Sequence, residues 1–380
     1  MFIEAQGLIR DATAKPDAER IAFFTALCPL ASGTILCGVQ VGRSKHAPSA
    51  AICLCRSRDR GNTWQELPVR FNNVLDGIPG SFAAVELVEA EPGRLLLFTT
   101  WFDRSDPARP LFDPVTEGLL RSRQLMTVSA DEGDSWAPWT LLNAPGLTGC
   151  AMTGPAIRLA GGAIAYAFES FKEYDDPQPS RHGSWLLVSR DGGRSFGSPF
   201  LVAQDPQHKV YYWDQRLCPT PLADEFIALF WTHDRELKRD RNVHFLRASL
   251  GNTIAQLPQE TSIPGQIAAP LLLDDGSLLA FVVDRGRPGT MKLWRSHDGG
   301  LTWPEQDCLV VHVHDERAAL SQGKENIDYA QLWEDMGKWS FGHPAIRPLG
   351  PGRVLLAFYA GTPDRMSIHW ARVATKYSVP

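Results

Sequence analysis

Short apolar runs separated by glycine-containing turns and long polar loops recur along the whole chain. In one such unit the run Phe82–Val88 precedes a turn at Glu91-Pro92-Gly93, and a second run, Arg94–Phe102, leads into the polar loop Asp103–Arg123. Apolar runs of this length, bounded by turn residues, predict β-strands joined in antiparallel order. Only the stretch from about Asn326 to Met336 has a helical pattern. The sequence therefore predicts an all-β fold with one short helix inserted late in the chain.

An octet with the pattern Ser-x-Asp-x-Gly-x-Thr/Ser-aromatic divides these units. It occurs four times, at Ser57–Trp64, Ser129–Trp136, Ser189–Phe196 and Ser296–Trp303. A fifth, eroded copy at Arg247–Ile254 keeps the Gly and the Thr but has a serine in place of the Asp. Successive copies begin about 50 to 70 residues apart, which is the period of a four-stranded antiparallel blade.

The chemistry of the octet is that of a hairpin turn. Its Asp accepts hydrogen bonds from backbone N–H groups further on, its Gly supplies a positive φ, and its Thr or Ser hydroxyl bonds locally. Each copy follows a strand-like run, so we expect it to join the third strand of a blade to the fourth. A turn satisfied in this way leaves nothing free for catalysis, and the octets therefore identify the fold and not the active site.

These octets resemble the Asp-box (BNR) repeats of the sialidase-like superfamily, and the resemblance extends from about residue 20 to the end of the chain. It implies a six-bladed β-propeller that is usually a glycoside hydrolase acting on the end of a glycan. We expect residues 1–380 to form one propeller domain. Because little chain follows the run Met366–Ala374, Phe2–Arg10 is predicted to supply the outer strand of the last blade.

Composition excludes some classes of function. The chain has 38 Lys and Arg against 43 Asp and Glu, so it offers no basic surface for nucleic acid. Its first residues carry no basic segment followed by an apolar one, and no apolar run reaches 18 residues. These features predict a soluble cytoplasmic protein that does not bind membranes. Its partner is expected to be a carbohydrate substrate, while the oligomeric state is left open.

The cysteines do not point to a metal or a cofactor. There are seven, an odd number, and most lie inside apolar strands, as small buried hydrophobic residues do. Cys53 and Cys55 alternate on one face of a strand, but no spacing matches a zinc site. We therefore expect neither a metal site nor a cofactor.

Candidate site residues concentrate on the face opposite the octets. The ends of the second strands and the segments that lead into the inner strands converge there, where the central pocket of a propeller opens. Acids beside arginines recur at strand ends that we take as equivalent, and Tyr211–Arg216 adds aromatic rings. The predicted catalytic residues are Asp103, Glu169, Asp214 and Asp234. The predicted substrate-binding residues are Arg104, Arg181, Trp213, Arg216, His233, Arg235, Gln266, Asp284, Arg285 and Tyr329.

The resemblance also implies a chemistry that this chain does not reproduce fully. A sialidase-type reaction uses an arginine cluster for the substrate carboxylate, a tyrosine activated by a glutamate, and an aspartate as acid/base. Phe23 stands where the first arginine of the family belongs, and the loop Arg43–Ser49 contains no Asp. A tyrosine–glutamate pair could come from Tyr329 or Tyr174 with Glu169 or Glu325.

Three classes of function stay open on this evidence. The first is a sialidase-like glycoside hydrolase that acts on a terminal acidic sugar of a small glycan or oligosaccharide. The second is a lyase on uronate-containing sugars, with a His or Tyr base and an arginine that neutralises the carboxylate. The third is a non-catalytic carbohydrate-binding propeller. Acids and a histidine in the pocket would favour the first two classes, whereas a pocket filled by Trp and Phe would favour the third.

Overall fold

The computed structural model describes residues 1–251, 257–316 and 335–375. Their regular structure is almost entirely β-strand, with single-turn 3-10 segments at Asp17–Glu19 and Glu305–Asp307. The predicted helix at about Asn326–Met336 falls mostly outside the described residues, although residues 335–338 are helical. Within the described parts of the chain, no helix has the length and apolar character needed to cross a membrane.

The strands form antiparallel sets of four, which we interpret as blades numbered in chain order. The first strand, β1 (Phe2–Arg10), belongs to the last blade. Blade 1 contains β2 (Ile21–Pro29), β3 (Ile35–Gly42), β4 (Ala51–Ser57) and β5 (Gln65–Glu66). Blade 2 contains β7 (Ile78–Glu91), β8 (Arg94–Asp103), β9 (Ser122–Ser129) and β10 (Thr140–Leu142), with β6 (Val74–Leu75) paired to β7. Blade 3 contains β11 (Cys150–Ala151) and β12 (Ala156–Arg158) on the inside, then β13 (Ile164–Ser170), β14 (Gly183–Ser189) and β15 (Phe200–Ala203).

The second half of the chain repeats the arrangement. Blade 4 contains β16 (Val210–Pro219), β17 (Glu225–Asp234), β19 (His244–Ser249) and β20 (Gln259–Glu260), with β18 (Arg239–Asp240) paired to β17. Blade 5 contains β21 (Ala268–Leu272), β22 (Leu278–Asp284), β23 (Gly289–Ser296) and β24 (Leu309–His314). Blade 6 contains β25 (Phe341–Pro348), β26 (Arg353–Thr362), β27 (Arg365–Ala374) and β1.

The two ends of the chain meet in the last blade. β1 pairs with β27 along its whole length, as predicted for Phe2–Arg10. A parallel pair between Ile21 and Met366 joins blade 6 to blade 1, and a buried apolar cluster that includes Ile9 and Leu355 packs between these two blades. The pairing covers the outer edge of β27, which would otherwise expose unpaired backbone groups. That residues 1–380 form a single six-bladed domain stays a prediction.

The four complete octets adopt one turn geometry. In the first, one carboxylate oxygen of Asp59 accepts the Ser57 hydroxyl and the backbone N–H of Thr63, and the other oxygen accepts the Thr63 hydroxyl. The indole N–H of Trp64 donates to the carbonyl of Gly61. The other three octets repeat the contacts of the Asp with its Ser and Ser/Thr neighbours. Each octet joins a third strand to a fourth, which confirms its predicted place in the blade.

Four inner strands carry a β-bulge at the same level. A residue with positive φ stands at each bulge, and the pairing with the second strand shifts there by one residue. These residues are Phe24, Ala84, Asp214 and His343. A bulge adds a residue to one strand and redirects its side chains. Glu86 and Arg216 follow two residues after the bulges of blades 2 and 4, so the bulges bring polar side chains to the centre of the molecule.

Candidate functional site

Ionisable side chains from four blades meet where the inner strands converge. We call Glu86, Glu169, Asp214, Arg216 and His343 the central cluster, and all five are buried. Nη2 of Arg216 lies 3.4 Å from Oδ1 of Asp214 and 2.6 Å from Nε2 of His343, and Nη1 lies 3.7 Å from Oε1 of Glu86. Oε1 of Glu169 accepts the backbone N–H of Asp214 at 2.5 Å. Arg216 is therefore the common partner in a group of three carboxyl side chains.

Burial raises the pKa of all three carboxyl groups. The pKa of Glu86 rises to about 7, although Arg216 opposes the rise. The pKa of Asp214 rises to about 6, again against Arg216. Burial and the nearby Asp214 hold the pKa of Glu169 well above its usual value. Two adjacent carboxyl groups resist double ionisation, so Glu169 and Asp214 favour a state in which one of them keeps its proton.

The contact with Arg216 fixes the tautomer of His343. A guanidinium group only donates hydrogen bonds, so Nε2 of His343 accepts from Arg216 and Nδ1 carries the proton. Burial, followed by the charge of Arg216, lowers the pKa of His343 well below its usual value. The ring is therefore neutral, with its basic nitrogen already occupied.

A second group of side chains lies beside the central cluster and includes a tyrosine from blade 6. Nζ of Lys45 donates to the hydroxyl of Tyr359 at 2.9 Å and to the carbonyl of Met336 at 3.1 Å. Burial raises the pKa of Tyr359, while Arg285 acts in the opposite direction. The ring of Phe23 lies 5.5 Å from Nζ of Lys45, so a lysine from the loop of blade 1 lies beside the position where an arginine was expected. Burial, followed by the charge of Arg285, lowers the pKa of Lys45 well below its usual value.

Glycine at position 342 permits this arrangement. A Cβ atom there would lie 2.7 Å from Nη2 of Arg285 and 3.4 Å from the hydroxyl of Tyr359. Gly342 also has a φ of 140°, which side chains rarely adopt. Arg285 approaches the backbone of blade 6 closely for this reason, and its guanidinium stacks on the ring of Trp339 at 4.1 Å from the centroid.

A polar cleft between blades 4 and 5 reaches Arg285 from the surface. Its volume is ≈ 570 Å³, within the range of small-ligand sites. Its lining is made of the β17–β19 connection, the segment that leads into β21, and the end of β22: Leu237, Arg239, Asp240, Arg241, Asn242, Glu260, Pro264, Gly265, Gln266, Asp284 and Arg285. Gln266 and Arg285 therefore belong to both the cleft wall and the surroundings of the central cluster.

Several polar atoms at this centre lack hydrogen-bond partners in the part of the chain that the structure describes. They are Oε2 of Glu86, Nε of Arg216, Nδ1 of His343 and Nη1 of Arg285. Buried polar groups in folded proteins are nearly always paired, because an unpaired one costs about 1–3 kcal/mol. A concentration of unpaired donors and acceptors at one place is typical of a site that binds a polar ligand.

The structure brings together part of the predicted site. Glu169, Asp214 and Arg216 meet in the central cluster, and Gln266 accepts a hydrogen bond from Nε of Arg285 at 2.9 Å. The ring of Trp213 stacks on His233 with centroids 5.1 Å apart. Tyr329 and Glu325 lie outside the described residues, and Tyr174 lies in another part of the molecule, under the guanidinium of Arg109.

The predicted equivalence of the strand ends is wrong, and the pairing register shows why. In its pairing with the inner strand, Glu169 of blade 3 occupies the same level as Thr100 of blade 2 and Trp231 of blade 4. Asp103 and Asp234 lie beyond this level, further along their strands. Their carboxylates serve local turns: Asp103 accepts the backbone N–H of Ser105, and Asp234 accepts that of Leu237.

Asp284 has the same kind of local contact, since it accepts the backbone N–H of Gly286. The acid that precedes an arginine therefore recurs in three blades because it caps the connection from the second strand to the third. Its recurrence has a structural cause and does not mark a catalytic position.

Three of the predicted arginines lie away from the central cluster. Arg104 is buried and donates to Ser81 and to the carbonyl of His46, so it holds two loops together. Arg235 forms a salt bridge with Glu117 at 2.8 Å. Arg181 is exposed and lines, with Arg235, a separate cleft of ≈ 670 Å³ between blades 3 and 4.

The predicted site omits five residues of the centre, one of which is His343 at the bulge of blade 6. Tyr359 pairs with Gly342 at the bulge of blade 6, and the rule that favoured the end of each second strand would have found it if applied to that blade. Glu86 lies inside an inner strand and carries no local signal. Lys45 and Asp240 lie in loops, and neither was chosen as a candidate site residue. Within the described residues, no group of three or more His, Cys, Asp or Glu side chains is placed to hold a metal ion.

Comparison with known proteins identifies the fold. No protein family model matches the chain, and no curated protein matches it. Among solved structures, a protein of unknown function from Dyadobacter fermentans is 17% identical with a TM-score of 0.70, over 98% of this chain and 100% of that chain. Hadza microbial sialidase Hz136 is 14% identical with a TM-score of 0.66, over 97% of this chain and 68% of that chain.

A third similar structure belongs to a different glycosidase. The α-L-arabinanase of Penicillium chrysogenum, solved with arabinobiose, is 12% identical with a TM-score of 0.64, over 99% of each chain. At these identities the similarity concerns the fold alone. The chain has the propeller fold of the sialidase-like superfamily, which it shares with glycoside hydrolases of more than one specificity.

Proposed function

We propose that this protein is a glycoside hydrolase that acts on a terminal acidic sugar of a glycan or oligosaccharide. The observation that carries the proposal is the central cluster, where carboxyl groups with raised pKa values lie beside Arg216. Glycosidic cleavage requires one group that donates a proton to the leaving oxygen and a second group that attacks or activates water. A carboxyl group with a pKa near neutrality, such as that of Asp214 at about 6, suits the first task.

The surroundings of the cluster support an acidic substrate. Arg216 and Arg285 are positively charged groups in or beside the central cluster, Lys45 adds a hydrogen-bond donor, and Nη1 of Arg285 has no partner among the described residues. A guanidinium binds a carboxylate through paired N–H donors. We assign the role of proton donor to Asp214, the binding of the sugar carboxylate to Arg285 and Lys45, and that of nucleophile to Tyr359.

Tyr359 is assigned by position and not by charge. Its hydroxyl lies near the end of β26, 2.9 Å from Nζ of Lys45, and this contact would stabilise a phenolate. For Tyr359 to attack the anomeric carbon its proton must leave, and the amine of Lys45, whose pKa burial lowers well below its usual value, lies 2.9 Å away to take it.

A lyase on uronate sugars is the second candidate, and one contact favours it. A tyrosine flanked by Lys45 and Arg285 is also suited to remove a proton next to a neutralised carboxylate. His343 is a poor base for that step, because Arg216 occupies its Nε2. The two reactions differ in their products: hydrolysis adds water, whereas elimination leaves a conjugated double bond that absorbs ultraviolet light.

Product analysis tests the proposal. Purified protein would be incubated with oligosaccharides that end in sialic or uronic acids and with neutral counterparts, and products would be identified by mass spectrometry and ultraviolet absorbance. We expect release of an acidic monosaccharide with added water, lost in the Asp214→Asn variant and kept in an octet variant, Asp59→Asn. Cleavage of neutral substrates alone, an unsaturated product, or no cleavage by the parent protein would each contradict the hydrolase assignment.

A further inference from the structure

A continuous line of hydrogen bonds runs from blade 4 into blade 5 and ends at Arg285. Nδ1 of His233 lies 2.8 Å from Oδ1 of Asp240. The other carboxylate oxygen of Asp240 accepts Nε2 of Gln266 at 2.9 Å, and Oε1 of Gln266 accepts Nε of Arg285 at 2.9 Å. The side chains of His233 and Asp240 are 2% and 7% exposed, and Gln266 and Arg285 are buried. Solvent therefore does not compete with these contacts.

The donors and acceptors along this line have a fixed direction. Arginine only donates hydrogen bonds and a carboxylate only accepts them, so the amide of Gln266 has one possible orientation, with its oxygen towards Arg285 and its nitrogen towards Asp240. The same reasoning places a proton on Nδ1 of His233. The negative charge of Asp240 thus holds the amide, and the amide oxygen holds the guanidinium.

Arg285 is held on its other sides by aromatic rings. Its guanidinium lies 4.1 Å from the ring centroid of Trp339 and 4.8 Å from that of Phe341. With Nε used by Gln266, the group keeps Nη1 without a hydrogen-bond partner in the described residues. Arg285 also lines the cleft between blades 4 and 5, so a fixed guanidinium group belongs to the wall of a space large enough for a sugar.

We propose that Asp240 is a positioning residue which, through Gln266, fixes the guanidinium group of Arg285 for binding the carboxylate of an acidic sugar in this cleft. The identity of the ligand rests on the proposed function, whereas the positioning of Arg285 by Asp240 does not. Asp240 needs no contact with the substrate for this role, because its effect passes through the amide of Gln266.

Replacement of Asp240 by the isosteric leucine would break the line. Asparagine would not, because its oxygen accepts from Gln266 while its NH₂ group donates to Nδ1 of the other His233 tautomer. Leucine offers no acceptor, so Gln266 loses the hydrogen bond that fixes the orientation of its amide. In a buried network this loss weakens the hold of the amide oxygen on Arg285.

The first arm of the test needs no substrate. The Nε–H signal of Arg285 would be identified in proton–nitrogen correlation spectra by its absence in the Arg285→Lys variant, and its exchange with water measured. We expect Asp240→Leu and Gln266→Met to speed this exchange about tenfold or more, because the acceptor of the protected N–H is loosened in the first variant and removed in the second. Glu225→Gln is the control, since Glu225 pairs with Arg247 at 2.9 Å in the same blade. An unchanged Arg285 signal in Asp240→Leu would overturn the positioning role.

The second arm asks for the ligand and uses the acidic oligosaccharide that the parent protein cleaves. We expect Asp240→Leu to raise KM about tenfold with a smaller change in kcat, and to have no further effect in an Arg285→Lys background. Equal effects in both backgrounds would show that Asp240 does not act through Arg285. A changed Nε–H signal with an unchanged KM would overturn the carboxylate-binding part alone, and an absence of any cleavage would count against the hydrolase while the first arm still decides the positioning role.

Discussion

The pKa of an aspartate is lowered in one region of this molecule and raised in another. In the octet turns the carboxylate of Asp59 is solvent-accessible and accepts hydrogen bonds from Ser57 and Thr63, which lowers its pKa to about 2. In the central cluster Asp214 is buried, and its pKa rises to about 6. The carboxyl group of Asp59 is ionised and hydrogen-bonded at any physiological pH, whereas that of Asp214 exchanges its proton near neutrality. The same side chain is structural or reactive according to whether its neighbours satisfy its charge.

The difference has a consequence for stability, and its sign differs between the regions. A carboxyl group whose pKa is lower in the folded state stabilises the fold above its ordinary pKa and loses that effect as the pH falls. A group whose pKa is raised stabilises the fold below its ordinary pKa and loses that effect as the pH rises. The carboxylates of the octets therefore stabilise the folded protein at neutral and alkaline pH, whereas the carboxyl groups of the central cluster stabilise it at acidic pH.

The largest expected effect comes from removing the exchangeable proton. Asp214→Asn should lower kcat by about 100- to 10,000-fold, the usual range for loss of a general acid, because the amide does not donate a proton to the leaving oxygen. The melting temperature should stay the same or rise, since a buried carboxyl group is replaced by an uncharged one. Kinetics and thermal denaturation of the same samples measure both. A fall in kcat of less than tenfold would remove Asp214 from the catalytic role.

The next effect concerns stability at the centre. The pKa of Glu86 rises from its ordinary value to about 7 because of burial, so its ionisation between pH 4.5 and 7 destabilises the fold by an amount on the order of 3 kcal/mol. Glu86→Gln should remove that dependence and make the variant more stable than the parent at pH 7, with little difference near pH 4. Denaturant unfolding at several pH values tests this. A parent protein that is the more stable of the two at pH 7 would contradict the buried, raised state of Glu86.

A smaller effect is expected on the pH dependence of catalysis. If Asp214 donates its proton, kcat/KM falls as the pH rises through about 6. Arg216 lowers the pKa of Asp214, so Arg216→Gln should move this fall to higher pH by roughly one to three pH units, the range for an adjacent guanidinium. The pH profile of kcat/KM measures the displacement, which separates an electrostatic role of Arg216 from a purely structural one. A kcat/KM that rises with pH through about 6 would mean that Asp214 acts in its ionised form, and a profile that moves to lower pH would contradict the stabilisation of its carboxylate by Arg216.

The same contrast explains what the sequence could and could not predict. The hydrogen bonds of an octet join residues at most four positions apart, such as Ser57 with Gly61, so the local pattern specifies the turn and, by its repetition, the fold. The central cluster has no local pattern. Glu86 and Arg216 meet because bulges at the same level of two inner strands turn them to the centre, and a bulge is not visible in the alternation of apolar residues.

The choice of candidate site residues has the same limit. Glu169, Asp103 and Asp234 were all chosen as acids at the ends of second strands, and Asp214 as part of the segment Tyr211–Arg216 that enters an inner strand. Glu169 and Asp214 lie in the central cluster, whereas Asp103 and Asp234 accept hydrogen bonds from the following loop. Distinguishing the two uses requires the pairing register, which depends on contacts between strands and not on the composition of either one.

The smallest effect, and the sharpest contrast with Asp214, is expected at the octets. Asp59→Asn keeps the size of the side chain but replaces one acceptor oxygen by an NH₂ group that meets the hydroxyl of Thr63. We expect a melting temperature lower by a few degrees at pH 7, because one turn among four loses part of its hydrogen bonding, and an unchanged kcat per folded molecule.

The pKa of Asp59 in the folded protein is about 2, so the stabilisation by its carboxylate is present above the ordinary pKa of an aspartate and disappears as the pH falls towards 2. The difference in stability between parent and variant should therefore shrink on acidification, opposite to the behaviour expected for Glu86→Gln. Thermal denaturation between pH 2 and 7, with activity assayed on the same samples, decides between the outcomes: a fall in kcat with an intact fold would show that the octet face takes part in catalysis, and a difference that grows on acidification would contradict the lowered pKa.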